Sequence, residues 1–211
     1  MLSHAELIQE IVRKRDINYL VHFTRESNVS SILNHGLIPR LHLIEKNIPF
    51  ALNDEIRLDG SLDASCMSIS FPNYKMFYRY RCLYPNVSWV VLAYKSSILW
   101  NFDCAFCHEN AASNNTRAIP FAERHTATAL EDMFADRDRY PSRDTSKLTN
   151  NFPTHPQAEV LVYGIIPPDY IAGILCPDSD SANISTQKYP KVKCVPWPFG
   201  FSPRFDWELW Q

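Results

Sequence analysis

Six short apolar runs constrain what this chain can fold into: residues 17–24 (INYLVHFT), 66–71 (CMSISF), 88–94 (SWVVLAY), 156–164 (PQAEVLVYG), 170–176 (YIAGILC) and 191–195 (KVKCV). Each has strand length and strand-like content. The stretches between them read as short helices or loops, so the pattern predicts an α+β fold with a mostly antiparallel or mixed sheet. Fifteen prolines against five glycines predict connections set by proline turns rather than flexible linkers.

A chain of 211 residues fits one domain, here 1–211, with enough length to bury a core. The net charge of −2 argues against a non-specific polybasic nucleic-acid binder, yet leaves room for a local basic groove. Residues 1–16 are polar and mixed in charge, which predicts no export signal, and no run is long enough to span a membrane. The six cysteines are therefore expected as reduced thiols of a cytoplasmic protein.

Ser3 followed by Glu6 is a capping-box pattern, and Leu7, Ile8, Ile11 and Val12 continue it at helical spacing. In 17–24, alternation places Tyr19, Val21 and Phe23 on one face and Leu20, His22 and Thr24 on the other. His22 and Thr24 are then side-by-side neighbours. They suit a flat polar ligand held by an imidazole and a hydroxyl, and equally a half-buried histidine satisfied by backbone. Ser27 or Asn28 is expected to cap the next helix, with Val29, Ile32 and Leu33 inward and Gly36 as its left-handed C-terminal cap. Residues 41–63 read as a long loop with one helical turn, and Arg57 lies in it.

Residues 74–81 (YKMFYRYR) read as a helix with Lys75, Tyr78 and Arg79 on one side. Basic residues interleaved with aromatics are the pattern of a single-strand or nucleotide groove, and also of a helix whose basic face meets water. Residues 96–100 look like one helical turn. Cys104, Cys107 and His108 spell C-x-x-C-H, but haem attachment needs export and zinc needs a second ligand pair, so the thiols read as packing residues. Residues 114–120 read as a loop and 121–135 as a helix. Residues 136–156 form a charged loop with Arg137, Arg139, Arg143 and Lys147. Glu159 sits near the start of a core strand, placed either to act on a ligand or to meet solvent. The tail carries Phe199, Phe201, Phe205, Trp207 and Trp210, so it is expected to dock on the core. There is no glycine-rich phosphate loop, Ser-His-Asp spacing or H-E-x-x-H.

Four segments in order, HFTRESNVSSILNHGLIPR (22–40), SISFPNYKMFYRYR (68–81), FCHENAAS (106–113) and PTHPQAEVLVYGIIP (153–167), resemble the DarT family of DNA ADP-ribosyltransferase toxins. The resemblance runs from residue 17 to about 170. It implies an ADP-ribosyltransferase-like split β-sheet with NAD, as co-substrate, in its central cleft. It implies cleavage of the nicotinamide–ribose bond and transfer of ADP-ribose to a base, commonly thymine, in single-stranded DNA. It also implies a macrodomain-containing antitoxin, and no metal. By position, His22, Thr24 and Asn28 match the NAD-binding segment, Glu159 the catalytic glutamate, and Arg57 the active-site arginine, which also contacts the cofactor. Lys75, Met76, Tyr78 and Arg79 fall on the segment expected to approach nucleic acid. Transfer to RNA or protein, or a non-catalytic nucleotide- or nucleic-acid-binding module of the same fold, are the alternative readings.

Overall fold

The computed structural model describes residues 2–51 and 60–211. In chain order the elements are α1 (His4–Lys14), β1 (Tyr19–Arg25), α2 (Val29–His35), α3 (Arg40–Glu45), β2 (Ala64–Ile69), α4 (Tyr74–Leu83), β3 (Trp89–Lys95), α5 (Ile98–Asn101), β4 (Cys104–Cys107), α6 (Asn114–Arg117), α7 (Phe121–Arg124), α8 (Ala127–Asp132), β5 (Glu159–Tyr163), β6 (Ile171–Cys176), α9 (Ser179–Lys188) and β7 (Cys194–Pro196). The strands make one mixed sheet in the order β4-β5-β2-β1-β3-β6-β7, antiparallel except for β6 and β7.

The sheet is split at its centre. β1 pairs with β3 along its whole length, from Tyr19↔Lys95 to Arg25↔Trp89. It meets β2 only at Leu20↔Ile69 and Val21↔Ser68. Beyond that point β2 continues against β5, from Met67↔Val160 to Ala64↔Tyr163. The two halves therefore diverge like an open wedge.

The alternation in β1 falls as expected. Leu20, His22 and Thr24 pair with Tyr94, Leu92 and Val90, and the apolar members of that face join the main core, to which α1 adds Ile8 and Val12. Val21 and Phe23 face the opposite layer, with Phe77 of α4, Trp89 and Phe201. Ser3 and Glu6 close the capping box at the start of α1.

Several local expectations change. Residues 121–135 form two short helices, broken at His125, because Thr126 turns its hydroxyl to the Ala129 amide and restarts the helix. Within 114–120, α6 forms behind the Ser113 cap. Asn28 precedes α2 but makes no capping bond; its amide binds Thr24 Oγ1 at 3.1 Å and the Ala51 backbone at 2.9 and 3.0 Å. α9 and β4 were not anticipated from the sequence.

Gly36 ends α2 at φ +85°. A Cβ there would lie 2.3 Å from the Ile166 carbonyl oxygen, which accepts the Leu37 amide at 2.9 Å. Gly36→Ala thus combines a left-handed backbone with a clash against backbone, and we expect a loss of about 2–3 kcal/mol in urea unfolding.

Candidate functional site

The wedge between β1 and β2 is the mouth of a cleft lined by both strands, by α2 and the segment after it, by residues 49–51, and by Met76 and Tyr80 of α4. His22 spans the opening: its Nδ1 lies 2.8 Å from the Cys66 carbonyl. A carbonyl only accepts, so Nδ1 carries the proton, and in the neutral ring Nε2 is the acceptor. This side chain replaces a ladder bond that the diverging strands no longer make. Thr24 is buried two residues on, its hydroxyl accepting from Asn28. Asn28 in turn holds Ala51, so one amide side chain ties β1, α2 and the cleft rim together.

Glu159 enters the same cleft from the first position of β5 and is 4% exposed. Its Oε1 accepts from Asn73 Nδ2 at 3.1 Å, and its Oε2 from the Ala111 amide at 2.8 Å. Asn73 is itself the N-cap of α4, its Oδ1 accepting from the Met76 amide at 3.3 Å. That cap fixes which end of the Asn73 amide faces Glu159, because a flip would put the carbonyl oxygen against the carboxylate. A buried carboxylate held by N–H donors from two separate elements is aimed as well as charged. The cleft therefore offers an imidazole, a hydroxyl and an oriented carboxylate on its walls, with apolar surface from Ile32, Leu37 and Ile38 between them.

A family model described as ssDNA thymidine ADP-ribosyltransferase, DarT, matches residues 21–207. The chain belongs to the DarT family. Thermosipho africanus DarTG in complex with ADP-ribose is similar at 21% identity and a TM-score of 0.61, over 87% of this chain and 51% of that one. The chain thus spans about half the length of that protein. Thermus sp. 2.9 DarT in complex with NAD+ is similar at 13% identity and a TM-score of 0.55, covering 89% of this chain and 98% of that one. The same DarT in complex with carba-NAD+ gives 14% and 0.52, over 86% and 94%. At these identities the likeness establishes the ADP-ribosyltransferase fold seen in DarT structures. A comparison with curated proteins gives no match.

On this DarT fold the residues singled out in the sequence separate into groups. His22, Thr24, Asn28, Met76 and Glu159 line one cleft. Arg57 lies outside the described residues. Tyr78 (61% exposed) and Arg79 stand on the outer face of α4, away from the cleft lining. The Lys75 ammonium donates to the Trp210 carbonyl and so fastens the C-terminal segment to α4. Arg143, of the charged 136–156 segment, closes its own loop by donating to the Phe152 and Thr149 carbonyls at 2.7 and 2.9 Å.

Cys104 and Cys107 are buried in β4 as reduced thiols, and burial pushes the Cys104 thiol up to about 12. Among the described residues no group of three or more His, Cys, Asp and Glu is placed to hold a metal ion. No helix among them is long and apolar enough to cross a membrane.

Sequence reasoning missed Asn73 and the Ala111 amide. Asn73 follows Pro72 and opens a helix, a legible capping signal, but its second bond to Glu159 spans 86 residues. A backbone amide leaves no trace in a sequence.

Proposed function

We propose that this chain, acting as a single domain over 1–211, splits NAD in the β1–β2 cleft and transfers ADP-ribose to the thymine base of thymidine in single-stranded DNA. The observation that carries the reading is Glu159, buried, doubly hydrogen-bonded and lining the same cleft as His22 and Thr24. Thymidine in ssDNA is the acceptor named in the description of the matched family, and NAD+ and carba-NAD+ occupy the similar Thermus structures.

His22, Thr24 and Asn28 hold the NAD, with Arg57 gripping the pyrophosphate or the deprotonated base. The bond from the ribose C1′ to the nicotinamide nitrogen breaks, and nicotinamide leaves as a neutral molecule. The ribose acquires oxocarbenium character, as in glycoside cleavage. Glu159 orients that ribose through a hydroxyl and stabilises the growing positive charge. A ring nitrogen of thymine then bonds to C1′ and gives its proton to a base, a role open to Glu159 once the ribose is bound. The base must be unstacked to be reached, which favours single strands. Lys75, Met76, Tyr78 and Arg79 contact the strand in this reading, Met76 from the cleft wall and the others from α4's outer surface. The protein acts as a cytoplasmic toxin, and a macrodomain-containing antitoxin is its partner.

The test is to mix the protein with NAD and random single-stranded oligonucleotides, beside Glu159→Ala, and search by mass spectrometry for added ADP-ribose. A DNA adduct with the native protein alone is the expected result. Nicotinamide release without a DNA adduct would redirect the acceptor, and neither product from folded protein would overturn the enzymatic reading.

A further inference from the structure

A second buried carboxylate stands behind the site and takes no part in the mechanism above. Glu109 lies just past β4 and is 6% exposed. Its Oε1 accepts from the Ser113 hydroxyl at 2.6 Å, and its Oε2 from the Tyr140 hydroxyl. Burial alone would raise its pKa, but hydrogen bonds from the Ser113 and Tyr140 hydroxyls and the Asn115 side chain, with His108 nearby, outweigh that and hold it below the usual carboxylate range.

Glu109 and Ser113 bracket Asn110, Ala111 and Ala112. Asn110 Oδ1 accepts from the Ala112 amide at 2.9 Å, the Ser113 amide donates to the Asn110 carbonyl at 3.0 Å, and Ala111 donates to Glu159. One carboxylate therefore closes the turn that grips the other.

Tyr140 belongs to the 136–156 segment, more than thirty residues further along. Its ring rests against His155 and Trp210, with centroids 4.9 and 5.5 Å away. His155 Nδ1 accepts from the Gln157 amide at 3.1 Å, and burial pushes this imidazole down to about 4, so it stays neutral. Trp210 is anchored by its indole donating to Asp206 at 2.8 Å. The Tyr140 hydroxyl thus comes from a fixed ring.

We propose that Tyr140 and Glu109 are positioning residues: their hydrogen bond ties the 136–156 segment to the 109–113 turn and so sets the aim of the Glu159 carboxylate through the Ala111 amide. The proposal rests on the reading of Glu159 given above for its chemistry, but not for its geometry. Loss of the link frees the turn, and small misplacements of a catalytic group lower the rate more than the binding of substrate.

The experiment uses the full chain as Tyr140→Phe, Glu109→Gln and the double variant. Tyr140→Phe keeps the ring and removes the donor. Glu109→Gln leaves one oxygen to accept two hydroxyls. Three quantities are read: the Ala111 amide resonance by NMR, the NAD affinity, and kcat against KM for transfer or, failing a DNA product, for nicotinamide release. Glu159→Gln supplies the reference displacement of the Ala111 resonance.

Each single variant is expected to move that resonance and lower kcat about tenfold, with NAD affinity within about twofold. The double variant should be no worse than the weaker single one, as for two ends of one link. An unmoved Ala111 resonance overturns the proposal. So does a raised KM for DNA at unchanged kcat, which would make Tyr140 a substrate contact. A fall in melting temperature with kcat intact would leave the pair a fold-holding contact only and overturn it as well. Should the native protein neither bind NAD nor release nicotinamide, the proposed function fails, and the resonance alone decides the link.

Discussion

Glu159→Gln is expected to lower ADP-ribose transfer about 10³-fold while NAD binding changes by less than about threefold. The two effects separate because the charge matters most when the ribose becomes cationic, whereas the rest of the cleft still holds the ground state. The substitution is not a neutral replacement in shape alone. Glu159 accepts from the Asn73 amide and from the Ala111 N–H, and Asn73 cannot turn over without giving up the α4 cap. A glutamine offers one oxygen and one amino group, so it must set a donor against one of those donors. Single-turnover kinetics with labelled NAD, beside calorimetric NAD titration, measure both quantities. A variant that keeps transfer within tenfold of the native protein would remove Glu159 from the chemistry.

Arg204→Met is expected to cost about 3–5 kcal/mol of folding stability, the largest single-residue loss we anticipate outside the cleft. Arg204 and Asp206 have side chains 2% and 0% exposed and form a two-pronged pair, with Nε–Oδ1 and Nη2–Oδ2 both at 2.6 Å. The guanidinium also donates to the Pro153 and Thr154 carbonyls at 2.8 and 2.9 Å. Removing it strands a buried carboxylate and two carbonyls, each costly out of water. In a chain of this length the loss corresponds to a melting temperature lower by about 10 °C. Arg204→Met with Asp206→Leu should recover only part of it, since an apolar pair leaves no uncompensated charge but deprives the Trp210 indole of its acceptor. If the double variant melts no higher than the single one, the cost lies in the freed Pro153 and Thr154 carbonyls and the unpaired Trp210 indole rather than in the charge. That pair pins the chain five residues before Glu159, so transfer by Arg204→Met should fall even at temperatures where it stays folded.

This pair also explains how the aromatic tail docks. The expectation of docking holds, but Phe199, Phe205 and Trp207 remain between 41% and 45% exposed. Trp210 and the buried ion pair do the anchoring. An arginine read in isolation signals solvent, and its burial depends on carbonyls fifty residues away.

What the sequence determined by itself is local. The capping box at Ser3, the alternation in β1, the apolar β3 and β5, and Gly36 at the end of α2 follow from period, caps and glycine geometry, which act within a few residues. The position of Glu159 at a strand mouth was legible for the same reason. The four ordered motifs carried the family.

Tertiary structure decided what depends on distant partners. β4 is a four-residue strand whose CAFC reads from the sequence as packing thiols with no strand signal, and β5 supplies its ladder. α9 is polar and weakly patterned, and packing against β6 and β7 selects it. Asn28 left its cap because Thr24 and Ala51 offer its amide better partners. The sheet order that sets β2 between β1 and β5, and then splits it from β1, brings Asn73, Ala111 and Glu159 together across the chain. Hydrogen bonds formed over such separations leave no periodicity, so the aim of the carboxylate exists only in the folded chain.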